Sequence, residues 1–240
     1  RGFSMSTSNT PWECLICGAP LIYLEHQETM KCAVCGGSFP SHACCANGHY
    51  ICDSCHAKDA LDLICQFCLH TELKNPVAIM EQLIDFPQIH MHGPEHHVLV
   101  GAALLAAYKN CGGELDLSSA LDQMKERGSQ VPGGICGQWG TCGAGVSTGI
   151  FMSIATGATP LTGASWGLAN QMTARSLSSI GQIGGPRCCK RDSYTAILSA
   201  IDFADEQLHI KMERPDSIRC RMSERNAQCI KKACPYHSAV

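Results

Sequence analysis

The sequence predicts a mostly α protein: a small zinc-stabilised β-hairpin module followed by a compact, glycine-rich, all-α domain. Three observations carry that expectation. Ten of the 18 cysteines fall within residues 12–74. Beyond them, apolar residues recur at helical spacing in one segment after another. Finally, 13 glycines crowd the 53 residues from Gly133 to Gly185. With 240 residues and a 45% hydrophobic fraction, the chain can bury one substantial core and a satellite module. Its formal charge of -3 argues against a protein that coats nucleic acid. No run of 18 apolar residues offers a membrane span, and no secretory leader stands out, so a cytoplasmic setting is expected.

The first module spans residues 12–74 and carries four C-x-x-C pairs: Cys14/Cys17, Cys32/Cys35, Cys52/Cys55 and Cys65/Cys68. A looser group, His42, Cys44, Cys45 and His49, lies between the second and third pairs. Two residues between ligands let a tight turn aim both thiolates at one ion, so metal binding is expected over disulfides. The expected ligands are the four pairs together with Cys44 and His49, and two zinc ions are expected. Their pairing stays open. In a RING-like or FYVE-like cross-brace, Cys32/Cys35 shares an ion with Cys52/Cys55, while Cys44 and His49 share one with Cys65/Cys68. In the competing zinc ribbon, Cys14, Cys17, Cys32 and Cys35 close one site. Leu21-Ile22-Tyr23-Leu24 reads as a strand, and Gly36-Gly37 and Asn47-Gly48 as turns. Large apolar side chains are few here, so metal supplies much of the folding energy. Residues 1–74 hold four basic and seven acidic side chains, which favours docking to a partner enzyme over nucleic acid.

Residues 75–90 form a linker with a connecting helix over 76–86, ended by Pro87. The second domain then runs over residues 91–240. A helix from Pro94 or Glu95 to Cys111 ends at Gly112-Gly113, and further helices are expected at 118–127, 143–157, 164–180 and 192–209. The glycine patterns fit neither a dinucleotide fingerprint nor a phosphate loop, because the preceding strand, the acidic ribose partner and the lysine are missing. Dense glycine instead serves close approach between backbones, or to a ligand.

From Arg127 to Arg191 the chain has no aspartate or glutamate and five basic residues. A thiolate-ligated cluster carries excess negative charge, and an acid-free surrounding lowers the cost of burying it. Cys136 and Cys142 lie in a glycine-rich run whose amides can face sulfur. Cys188 and Cys189 precede a helix, where basic neighbours favour thiolate. One of that pair is expected to bind a [4Fe-4S] cluster with Cys136 and Cys142, leaving an open iron; Cys189 is the candidate reactive thiol. Cys220, Cys229 and Cys234 either complete this centre or hold another. His92, Glu95 and His96 are the candidates for proton transfer near the cofactor. The expected activity is iron–sulfur-dependent redox or sulfur-transfer chemistry on a small sulfur-containing or anionic substrate. The alternative is a zinc-stabilised adaptor docking to a methyl- or sulfur-transfer enzyme.

The strings HGPEHH (His92 to His97), GGICGQWGTCGAG (Gly133 to Gly145), ATPLTGASWGLANQMTA (Ala158 to Ala174), GGPRCCKR (Gly184 to Arg191) and CIKKACPYH (Cys229 to His237) resemble an uncharacterised cysteine-rich domain family of anaerobic bacteria and archaea. The resemblance implies a single domain from about His90 to His237 and an anaerobic, cytoplasmic setting. It implies no reaction.

Overall fold

The computed structural model describes Cys14, Ala19, residues 21–32 and residues 36–237, without the side chains of residues 54–59. The chain divides into two compact units, Arg1–His56 and Ala57–Val240. The first is built on an antiparallel hairpin, β1 (Leu21–Lys31) and β2 (Ser38–Cys45). Register runs from Leu21 opposite Cys45 to Lys31 opposite Ser38, with an irregularity between Tyr23 and Glu28. Gly36, at the turn, has φ +71°, the left-handed conformation glycine adopts without strain. β1 extends seven residues beyond the strand read at Leu21–Leu24, through a polar stretch. Backbone pairing carries it there, since most of these side chains stay exposed.

Helix α1 (Asp53–His70) was hidden by its cysteine spacing. C-x-x-C is also an i, i+3 helical step, and Ala60, Leu61, Ile64 and Cys68 fall on one buried face. They join the core cluster of the second unit. The mostly α expectation holds for the rest of that unit: α2 (Pro76–Leu83), α3 (His96–Asn110), α4 (Leu117–Ser129), the short α5 (Ile135–Gln138), α6 (Gly143–Ala155), α7 (Ala164–Ile183) and α8 (Cys189–Leu208).

Local chemistry sets the starts. Asn75 Oδ1 accepts the Val77 and Ala78 N–H groups at 2.9 and 3.2 Å, with Pro76 following the cap. Asp116 caps α4 through the Ser119 N–H at 3.2 Å. Helix α3 is apolar nearly all round, with twelve of its 15 residues buried, so it can only be a central helix. Helices α2, α4, α6 and α8 pack around it. Gly101 lets α6 approach so closely that Ser147 Oγ accepts the Gly101 N–H at 2.9 Å. After α8 the chain forms no further α-helix among the described residues. It winds through 3-10 turns at Ser223–Arg225 and Lys231–Ala233 and returns against α8. Tyr236 fixes that return: its ring lies 5.3 Å from Tyr194, and its hydroxyl is 3.0 Å from Thr195 Oγ1.

Candidate metal centres

In the first unit the ligand atoms of Cys14, Cys45 and His49 all lie within 4.8 Å of one another. His49 Nδ1 is 3.5 Å from Cys45 Sγ and 3.9 Å from Cys14 Sγ. The Asn47 and His49 amides donate to Cys45 Sγ at 3.3 and 3.2 Å. This is a three-ligand candidate metal site. A tetrahedral ion asks for a fourth donor; Cys17, offered by spacing, lies outside the described residues. Cys45, rather than the expected Cys44, enters the triad because neighbours on a strand point to opposite faces. Cys32 and Cys52 are both buried, and the Cys52 N–H donates to Cys32 Sγ at 3.3 Å. Cys35 and the Cys55 side chain lie outside the described residues.

Cys65 and Cys68 sit in the second unit on α1. Cys65 Sγ is 3.9 Å from the Leu121 carbonyl, and burial pushes its thiol up to about 11. Cys68 is wholly buried in the apolar core, which raises its thiol further still.

The second unit brings four cysteines to one cavity. Cys188, Cys220, Cys229 and Cys234 line it, with His237 and Met91 among their neighbours. Three of them are aimed by backbone. Cys188 is the N-cap of α8, and its Sγ accepts the Arg191 N–H at 3.4 Å. The Met222 N–H donates to Cys220 Sγ and the Lys231 N–H to Cys229 Sγ, both at 3.4 Å. Lys231 holds φ +51°, an uncommon conformation for a side chain of its type, between the two cysteine-bearing ends of the Cys229–Cys234 loop. Among the described residues only the Cys14 triad gathers three donor atoms within 4.8 Å. No three of the four cavity sulfurs lie that close to one another. A single zinc, with Zn–S of about 2.3 Å, would hold four sulfurs roughly 3.8 Å apart.

Behind Cys188 lies a buried polar network. Lys190, 1% exposed, donates from Nζ to the His90 carbonyl at 2.7 Å and to His96 Nε2 at 2.8 Å. His96 Nδ1 is 3.0 Å from the Gly93 carbonyl, so Nδ1 carries the proton and Nε2 accepts. Burial, then the Lys190 ammonium, pushes His96 down to about 3. Burial works against ionisation of Glu95, but His90 and His96 outweigh it and hold the carboxyl at about 2. Burial, with Arg187 next, lowers His92 to about 4. Burial likewise brings Lys190 down to about 8.

Of the residues read as catalytic, Glu95 and His96 thus belong to this enclosed network. Burial raises the Cys189 thiol to about 12, although the residue as a whole keeps partial exposure. Cys136 and Cys142 do not line the four-cysteine cavity. Cys142 Sγ contacts Asp192 Oδ2 at 3.9 Å, and the same oxygen accepts the Cys188 N–H at 3.3 Å. Burial and Asp192 raise the Cys142 thiol to about 12. Sequence reasoning missed Asn226, whose side chain touches both Cys188 and His92. Its only sequence signal was its place three residues before Cys229.

Residues 64–237 match a family described as one of unknown function, DUF5714. No curated protein and no solved structure matches the chain. Among the described residues no helix is long and apolar enough to cross a membrane.

Proposed function

The chain belongs to DUF5714, a family of unknown function, and from its geometry we propose that the helical domain is an iron–sulfur redox domain. One observation carries the reading: Cys188, Cys220, Cys229 and Cys234 line a single cavity. That donor set suits a [4Fe-4S] cluster, and N–H groups reaching three of the sulfurs at 3.4 Å supply the hydrogen bonding such clusters carry. When bound, the cluster supplies one-electron transfer. Four thiolates leave no iron open, so the site fits electron transfer better than Lewis-acid or sulfur-accepting chemistry. An oxygen-sensitive centre fits a reducing cytoplasm.

The second reading, a zinc-stabilised adaptor docking to a methyl- or sulfur-transfer enzyme, draws on the Cys14, Cys45 and His49 triad. Purification without oxygen, with iron, acid-labile sulfide and zinc measured together, separates the two. The redox reading expects about four iron and four sulfide per chain, lost in Cys220→Ser and Cys229→Ser while zinc is retained. Zinc alone, in wild type and variants alike, would leave the adaptor.

A further inference from the structure

Asn226 is 4% exposed and has no solvent-facing task. Its amide is oriented by the backbone: Oδ1 accepts the Gln228 N–H at 3.0 Å, a donor that cannot be reversed. Nδ2 must then be the atom facing Cys188 Sγ, to which it donates at 3.4 Å. With Oδ1 fixed as acceptor, His92 Nε2, 3.2 Å away, must carry its proton and donate. The order is fixed from His92 to the Asn226 Nδ2, and it terminates on the Cys188 sulfur, which accepts. A neutral amide that donates to a ligand thiolate stabilises the more negative, reduced form of a cluster relative to the oxidised one.

Resting on the redox reading above, we propose that Asn226, held by His92, is a positioning residue that raises the reduction potential of the centre through its hydrogen bond to Cys188. This gives the HGPEHH segment a task that is neither ligation nor proton transfer: His92 steadies the amide.

Potentiometric titration of anaerobically purified protein, followed by electron paramagnetic resonance of the reduced cluster, tests it. Asn226→Leu, with iron content unchanged, should shift the midpoint to more negative potential. His92→Phe should shift it the same way by less, and His92→Gln, which keeps a donor, should restore it. An iron-replete Asn226→Leu protein with the wild-type midpoint overturns the proposal. Should Asn226→Leu fail to assemble, the His92 pair decides: equal midpoints for His92→Phe and His92→Gln overturn it equally. Wild-type protein without iron would instead end the redox reading itself, before any variant is compared.

Discussion

At the residue scale, position on an element decides which of several similar side chains acts. Cys44 and Cys45 are indistinguishable by spacing, yet the strand sends only Cys45 toward Cys14 and His49. Cys188 and Cys189 split in the same manner, the first lining the cavity and the second not, while burial raises both thiols. The buried histidine makes stability depend on pH. His96 is held at about 3 when folded, below its ordinary 6.5, so the unfolded chain binds more protons in that window. Its contribution is whole above pH 6.5 and is lost progressively as pH falls towards 3. Glu95, held at about 2 instead of 4.5, adds a loss in the same direction at lower pH. Urea midpoints measured from pH 8 to 4 should therefore fall on acidification, and His96→Gln should fall less steeply below pH 6.5. Parallel curves for the two proteins would remove His96 from that account.

At the element scale, helices with an apolar stripe were legible and those disguised by cysteine were not. The expected helices at 76–86, 118–127 and 143–157 are found as α2, α4 and α6, with ends moved by a few residues. The caps of α2 and α4, Asn75 and Asp116, stand in plain view in the sequence. Helix α1 was not legible, because metal-ligand spacing and a buried helical face place cysteines at the same interval. The hairpin has too little apolar surface to stand alone. Cys45→Ser should release the metal of that unit and flatten its thermal transition while the helical unit melts as before. Unchanged metal content in that variant would place the ion elsewhere.

Close packing of α6 on α7 rests on Gly149, where a Cβ would run into the Thr173 side chain and lie 3.1 Å from the Ala169 carbonyl. Gly149→Ala should cost about 1–3 kcal/mol, lowering Tm by about 2–4 °C per kcal/mol. Gly167, whose Cβ would meet nothing within 4 Å, is the control. Gly167→Ala, on α7, should gain about 0.5–1 kcal/mol. Equal Tm changes in the two variants would contradict this packing.

At the scale of the whole molecule, the order of parts was readable: a thiol-rich hairpin unit first, a glycine-rich helical unit after it. The assembly of the second centre was not. Cys188 lies 32 residues before Cys220, and its three partners stand on a C-terminal stretch without regular periodicity. Only the return of that stretch against α8, through Tyr236 on Tyr194 and Thr195, brings them together. Long-range closure of this kind leaves no local pattern in the sequence. The acid-free run from Arg127 to Arg191 ends at this cavity, which Cys188 and Arg191 border, but the buried Asp192 follows it directly and accepts the Cys188 N–H at 3.3 Å.

The most direct measurement is anomalous scattering from crystals grown without oxygen, recorded on both sides of the iron absorption edge. A compact iron peak enclosed by Cys188, Cys220, Cys229 and Cys234, with no iron signal beside Cys14, Cys45 and His49, is the result expected. Zinc or no metal among those four sulfurs, in protein never exposed to air, would contradict the account at its centre.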